Sequence, residues 1–255
     1  MAEEICKCLE IPLGRVNRSR FANDNLFVQI EESVRECDVF VVQSSCPPVS
    51  EGIVELLILI DALRSASASR ITAVLPYYPY VRSDKKDQPR ISITAKLMAE
   101  LLAAAGAGRV LTMTLHSPQI QGFFDIPVDH LQSTPVLVNY YRELPVIRDC
   151  VAVAPDAGSA KRAGSFAQRL DIPLAFVDKR RLGNNDEVAS RAVVGDVRGK
   201  HVIVFDDEIS TGGSLVGAVD VLKEAGARDI YVGCTHGVLC GPAIERIAAS
   251  PIKEV

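Results

Sequence analysis

Two neighbouring carboxylates at the end of an apolar run, followed by small hydroxyl and glycine residues, are the most chemically loaded feature of this chain. Val202-Ile203-Val204-Phe205 leads into Asp206-Asp207-Glu208, and Ile209-Ser210-Thr211-Gly212-Gly213-Ser214 follows. The apolar run reads as a buried strand, and the residues from Gly213 open a helix. Such a loop offers several backbone N–H groups and a helix N-terminus to one anion, which suits a phosphate held by Ser210, Thr211, Gly212, Gly213 and Ser214. Adjacent acids suit vicinal sugar hydroxyls, directly or through a divalent cation. Together they describe a phosphorylated pentose. An ordinary helix start, with Ser210 or Thr211 as N-cap and acids nearby, is the plainer alternative. The lysine of a phosphate-binding GxxxxGK[ST] loop is absent.

Other segments add to this. Asp156, Gly158, Ser159 and Lys161 fall in a second strand-to-helix loop, with the acid at a strand end where open α/β sheets gather ligands. Alone it reads as a helix start capped by Asp156; beside the first loop it reads as a diphosphate site. From Pro76 to Arg90 a long connection mixes tyrosines with Arg82, Asp84, Lys85, Lys86 and Arg90, fit for an adenine and polyphosphate clamp or simply for a solvated surface. The basic triplet Lys179-Arg180-Arg181 enters a Gly/Asn-rich stretch with the composition of a closing lid. His116 follows a strand, and its imidazole is a possible metal ligand or a structural group.

These loops require strands that end together. Apolar runs at 39–42, 71–75, 110–113, 151–153, 174–177, 202–205 and 230–232 alternate with helical patterns at 51–65, 92–105, 158–169 and 213–225. That alternation predicts an α/β fold with mostly parallel sheets flanked by helices. The stretch 105–116 is echoed at 225–236, each reading helix end, glycine turn, strand and histidine. Either a duplicated domain or a common α/β pattern accounts for it. A boundary near Gln132 to Pro135 gives domains of 1–133 and 134–255.

Lys and Arg total 28 against 32 Asp and Glu, a formal net charge of −4 in 255 residues. That balance argues against a protein gripping nucleic acid through its phosphates. No apolar run is long enough to cross a bilayer, and the acidic N-terminus lacks the order of a secretory signal, so a cytoplasmic address and no membrane partner are expected. Seven cysteines, scattered and without CxxC spacing, read as reduced thiols.

Taken in order, these motifs resemble the ribose-phosphate pyrophosphokinases, from about Leu9 to Val255. The run from Pro79 to Lys96, the stretch from Leu115 to Leu131, and the loops at 155–163, 178–197 and 206–213 carry the likeness. The resemblance implies two type I phosphoribosyltransferase-like domains, the first serving ATP and the second ribose 5-phosphate, and a Mg²⁺-dependent transfer of the diphosphoryl group of ATP to the 1-hydroxyl of ribose 5-phosphate. It implies that Asp206 and Asp207 hold ribose hydroxyls, that Asp156 and His116 bind magnesium, and that Arg82 packs on adenine. Phe21 and Asn23 would reach that base from a neighbouring subunit of a homo-oligomer, a dimer or a hexamer built of dimers. Lys179 and Arg181 would neutralise the transferring phosphoryl group. Ser33, Arg35, Gln121 and Asp129 match part of an ADP/phosphate regulatory site. The chain departs from the family pattern at Asn25, Thr114, Ser159 and Ser210 and is shorter at both ends, with the second domain incomplete. A catalytically impaired paralogue that regulates a full-length synthase is the alternative expectation.

Overall fold

The computed structural model describes residues 1–180 and 190–255, with the side chains of residues 179, 180, 190 and 191 left aside. The chain divides into two compact units, Met1–Leu131 and Gln132–Val255.

The first unit begins with a short exposed helix, α1 (Ala2–Leu9), and an antiparallel hairpin, β1 (Val16–Arg20) and β2 (Leu26–Ile30). Sequence periodicity gave neither, because β1 is wholly exposed and β2 is only half-buried, with Val28 and Ile30 against the core of the unit. A parallel sheet follows in sequential order: β3 (Asp38–Val42), β4 (Arg70–Leu75), β5 (Arg109–Met113) and β6 (Val128–Leu131). Helices α2 (Val49–Ser65) and α3 (Thr94–Ala105) connect the first three strands and bury Leu56, Ile60, Ala95 and Leu102. Arg18 and Arg20 tie the hairpin to Glu55 and Glu51 of α2.

In the second unit, helix α4 (Thr134–Arg142) precedes a six-stranded sheet. Its strands are β7 (Cys150–Ala154), β8 (Leu174–Arg180), β9 (Ser190–Val194), β10 (His201–Ile209), β11 (Ile230–Gly237) and β12 (Ile252–Glu254). The spatial order is β12-β11-β10-β7-β8-β9, parallel except for β9 against β8. Helices α5 (Ala160–Leu170) and α6 (Gly213–Glu224) follow β7 and β10, and the short α7 (Ala243–Ala248) precedes β12. Val202, Ile203, Val204 and Phe205 are all buried, as a central parallel strand covered on both faces requires. Even positions join a core with Leu215, Val219 and Leu222 of α6; odd positions join another with Ala163, Phe166 and Leu170 of α5. The helices after β7 and β10 therefore lie on opposite faces of the sheet.

β10 is longer than the expected 202–205. Its ladder with β11 continues through Asp206↔Cys234, Glu208↔His236 and Ile209↔Gly237, so the paired acids sit on a strand, not in the loop. Acidic residues have low strand propensity, and only the pairing with β11 keeps them extended. The two echoed histidines also diverge: His236 lies within β11, whereas His116 lies beyond the end of β5.

Candidate functional site

The order of the second sheet places its crevice. From β7 the chain proceeds outward to β8, and from β10 it proceeds the other way to β11, so the β7/β10 boundary is a topological switch point. Loops at such a boundary separate to opposite faces and leave a cleft beyond the carboxyl ends of the strands. The two loops there are the one holding Asp156 and the one beginning at Ser210.

Asp156 is locked by its own turn. The Ser159 N–H donates to Asp156 Oδ1 at 3.0 Å, and the Ser159 hydroxyl lies 3.0 Å from the Asp156 carbonyl and 3.3 Å from Oδ1. Ser159, one of the departures from the family pattern, is buried, so its hydroxymethyl group is turned inward and steadies the acid. A Cβ on Gly158 would come within 3.2 Å of Asp156 Oδ1, which explains the glycine there. Lys161 stands in the first turn of α5.

Along β10, the Asp207 N–H donates to Asp206 Oδ1 at 2.9 Å. Arg162 Nη2 donates to Asp207 Oδ1 at 2.5 Å and lies 3.8 Å from Asp206 Oδ1. The Asp207 side chain is 3% exposed and that of Asp206 26%. Burial, followed by the hydrogen bond and charge of Asp207, pushes the Asp206 carboxyl up to about 7. Cys234, beside Asp206 on β11, is pushed up to about 11 by burial and then by the two acids.

Beyond the acids, Gly212 adopts φ 73, the left-handed conformation that turns the chain into α6. Cys240 N–H donates to the Ser210 carbonyl at 3.1 Å, Ser210 Oγ meets Cys240 Sγ at 3.2 Å, and Arg246 Nη1 donates to the Thr211 carbonyl at 3.1 Å. These bonds hold the carbonyls of the loop toward the segment 240–246, while Gly213 and Ser214 form the first turn of α6 with its N–H groups. The structure thus brings Asp156, Asp206, Asp207 and the residues from Ser210 to Ser214 to one end of one sheet.

In the first unit, the connection after β4 folds around a cavity of about 340 Å³ lined by Tyr77, Tyr80, Val81, Arg82, Ser83, Lys85, Asp87 and Ile91. Buried Tyr78 anchors it, its hydroxyl donating to the Ala95 carbonyl at 3.0 Å, and Ser83 accepts and donates within the same loop. Asp84 and Lys86 belong to this loop without lining the cavity. Phe21 and Asn23 sit apart on the hairpin tip, where Phe21 is 56% exposed and packs edge-on against Phe27. His116 follows a strained turn: Thr114 has φ 43, its N–H donates to the Leu131 carbonyl at 2.8 Å, and the Leu115 N–H donates to His130 Nε2 at 2.9 Å. Lys179 lies on β8, its side chain outside the described residues, and Arg181 lies outside them altogether.

Sequence reasoning passed over Arg162 and His130. The first had a signal: a cation in the first turn of a helix opposes the helix dipole and asks for a local reason.

A switch-point cleft with paired acids on one strand, an acid-bearing turn on its neighbour and a small-residue loop at a helix start defines the phosphoribosyltransferase type of α/β unit. Comparison with known proteins agrees: residues 137–247 match the phosphoribosyl transferase domain, and residues 1–106 match the N-terminal domain of ribose phosphate pyrophosphokinase. The chain is 57% identical over 256 residues to the ribose-phosphate pyrophosphokinase of Deinococcus radiodurans and 52% identical over 258 residues to that of Clostridium perfringens, covering all of this chain and 80% of each relative. The phosphoribosylpyrophosphate synthetase of Mycobacterium smegmatis superposes with a TM-score of 0.93 at 46% identity, over 99% of this chain and 83% of that one. The chain belongs to the ribose-phosphate pyrophosphokinase family.

Proposed function

We propose that this chain transfers the β,γ-diphosphoryl group of ATP to the 1-hydroxyl of ribose 5-phosphate, giving phosphoribosyl pyrophosphate and AMP for nucleotide synthesis. The observation that carries the reading is the convergence of Asp156, Asp206, Asp207 and the 210–214 loop at the β7/β10 switch point. Asp206 and Asp207 accept hydrogen bonds from ribose hydroxyls. The N–H groups and hydroxyls from Ser210 to Ser214, at the positive end of α6, hold the 5-phosphate. The 1-hydroxyl is then presented to the diphosphate held along Asp156, Gly158, Ser159 and Lys161. The connection after β4 takes the nucleotide, with Arg82 against adenine and Asp84, Lys85 and Lys86 toward the polyphosphate. Residues 1–133 thus serve ATP and 134–255 the sugar phosphate.

In the transfer the oxygen of the ribose 1-hydroxyl bonds to the β-phosphorus and gives up its proton to solvent, while the bond from the β-phosphorus to the α,β-bridging oxygen breaks and that oxygen leaves with AMP. Such a step asks for alignment and charge stabilisation more than covalent help. Lys179 and Arg181 supply positive charge to the transferring group. Mg²⁺, when bound, neutralises phosphate charge; the Asp156 carboxylate, held by Ser159 and partly exposed, is the hard oxygen donor it favours, while the His116 imidazole is a weaker partner for it. Phe21 and Asn23, on an exposed tip, serve a neighbouring subunit's nucleotide in a homo-oligomer. Nothing in the fold favours a non-catalytic regulator, and the inward turn of Ser159 removes one motive for it.

Among the described residues, no helix is long and apolar enough to cross a membrane. A phosphorus NMR time course with ATP, ribose 5-phosphate and Mg²⁺ tests the reading. Signals of phosphoribosyl pyrophosphate and AMP are expected; ADP and inorganic phosphate alone, or an unchanged spectrum, would sink it.

A further inference from the structure

Helix α5 is fixed to β10 by two stacked contacts in series. Phe166 lies face to face on Phe205, with ring centroids 4.3 Å apart and planes 10° from parallel. One helical turn earlier, Arg162 meets Asp207, two residues further along the same face of the strand. The spacing i, i+4 on the helix matches i, i+2 on the strand, so the aromatic pair sets the depth at which the guanidinium meets the acids. Three residues before Arg162, Ser159 is bonded to Asp156. A single turn of helix therefore spans from the diphosphate loop to the paired acids.

We propose that Arg162 is a positioning residue of this enzyme: it clamps Asp207 as the fixed, charged member of the acid pair, leaves Asp206 the more open of the two to the sugar, and sets the distance between the pair and the Asp156 loop. The proposal rests on the reading of these acids as ribose ligands. A carboxylate as buried as Asp207 is costly unless a cation is bonded to it. Removing Arg162 takes away the cation that meets Asp207 at 2.5 Å, which favours a shared proton or a wider separation of the two abutting carboxylates. Either response moves Asp206, and it frees the start of α5 from the strand that carries the acids. Lysine keeps the charge, but its ammonium ends a stem of different length and shape and does not reproduce the position of the one guanidinium nitrogen, Nη2, that meets Asp207 at 2.5 Å and lies 3.8 Å from Asp206.

The test is R162Q beside R162K, with R162A for rescue. R162Q should lose roughly 100-fold in kcat/KM for ribose 5-phosphate, the scale of a slight misplacement at a reacting centre. Its KM for ATP should move far less, and R162K should recover only part of the loss. Added guanidinium should restore R162A but not wild type, which an effect on folding alone would not produce. Carboxyl carbon NMR of aspartate-labelled protein reads the clamp without substrate: in R162Q, and in R162K if the glutamine variant does not fold, the Asp207 signal should take up its proton at higher pH than in wild type. Wild-type protein that gives no heat with ribose 5-phosphate would sink the functional reading and leave the Asp207 signal to decide the clamp. An unmoved Asp207 signal, or a variant with unchanged kcat/KM, overturns the proposal.

Discussion

Asp206 is held in a state that costs the folded protein stability. Its folded acid constant lies well above the ordinary carboxylate value of about 4, at about 7, because burial and Asp207 disfavour its charge. A carboxyl raised in this way contributes stability that is complete below its unfolded value and lost as pH rises through its folded one. Near pH 8 it is ionised against that penalty. Asp206→Asn should therefore melt higher than wild type at pH 8, by about 2 kcal/mol after allowance for its partial exposure, with the gain shrinking toward pH 5. If the proposed role of Asp206 holds, the same variant should lose ribose 5-phosphate binding in calorimetry, since the ionised group would be the one to accept sugar hydroxyls. Equal melting curves at pH 8 would show that Asp206 carries no such penalty. For wild type, ribose 5-phosphate affinity should strengthen between pH 6 and pH 8, and Asp206→Asn should flatten that rise.

At the scale of elements, the turn between β5 and the residues after it carries a second strained arrangement. Thr114 is β-branched yet sits at φ 43, a region where only glycine, asparagine and aspartate are at ease. The end of β6 holds it there through the Leu131 carbonyl, and His130 holds the next residue by accepting the Leu115 N–H. Thr114→Asn should raise stability by about 1 kcal/mol in urea melts. His130 is pulled below the usual imidazole range by burial. Its contribution is therefore fully present above the free imidazole value of about 6.5 and lost as pH falls below that through its lower folded value, where protonation removes the acceptor. His130→Gln, which keeps an acceptor, should flatten that pH slope, whereas His130→Phe should cost about 1–3 kcal/mol by leaving an N–H unpaired. Loss of the slope in neither variant would assign it elsewhere. None of this was visible in the sequence, where Thr114 was only a departure from a family pattern. The strands and helices themselves were legible because buried parallel strands are continuous apolar runs, as at 71–75 and 202–205. The hairpin was hidden because β1 is fully exposed and only Val28 and Ile30 of the short β2 meet the core, and the extension of β10 through its acids because pairing with β11 sustains it. Asp206, Asp207 and the 210–214 loop stand out as a candidate site by residue type; Arg162 carried only the weak signal of a cation at a helix start, since its partner lies 45 positions away.

For the whole molecule, each unit has its own apolar packing. Leu56, Ile60, Leu75 and Val110 belong to the core of the first; in the second, Val153, Val204 and Leu222 belong to one core and Phe166 to another. Units packed separately allow two ligand responses. A ligand stabilises what it binds by RT ln(1 + [L]/Kd), about 2.7 kcal/mol at a hundredfold excess over Kd. Local opening reports that gain only in segments whose exposure breaks the site. Ribose 5-phosphate alone should then slow hydrogen exchange in β10, the 210–214 loop and the first turns of α5 and α6. ATP with Mg²⁺ should slow it first in residues 76–93, around the cavity lined by Tyr77, Tyr80 and Arg82. Both effects arise in a chain whose net charge, −4, opposes anionic ligands at long range, so they must come from local N–H groups and cations and should persist at high salt. Protection of the 76–93 loop by ribose 5-phosphate, with β10 unaffected, would reverse the assignment of sugar and nucleotide to the two units.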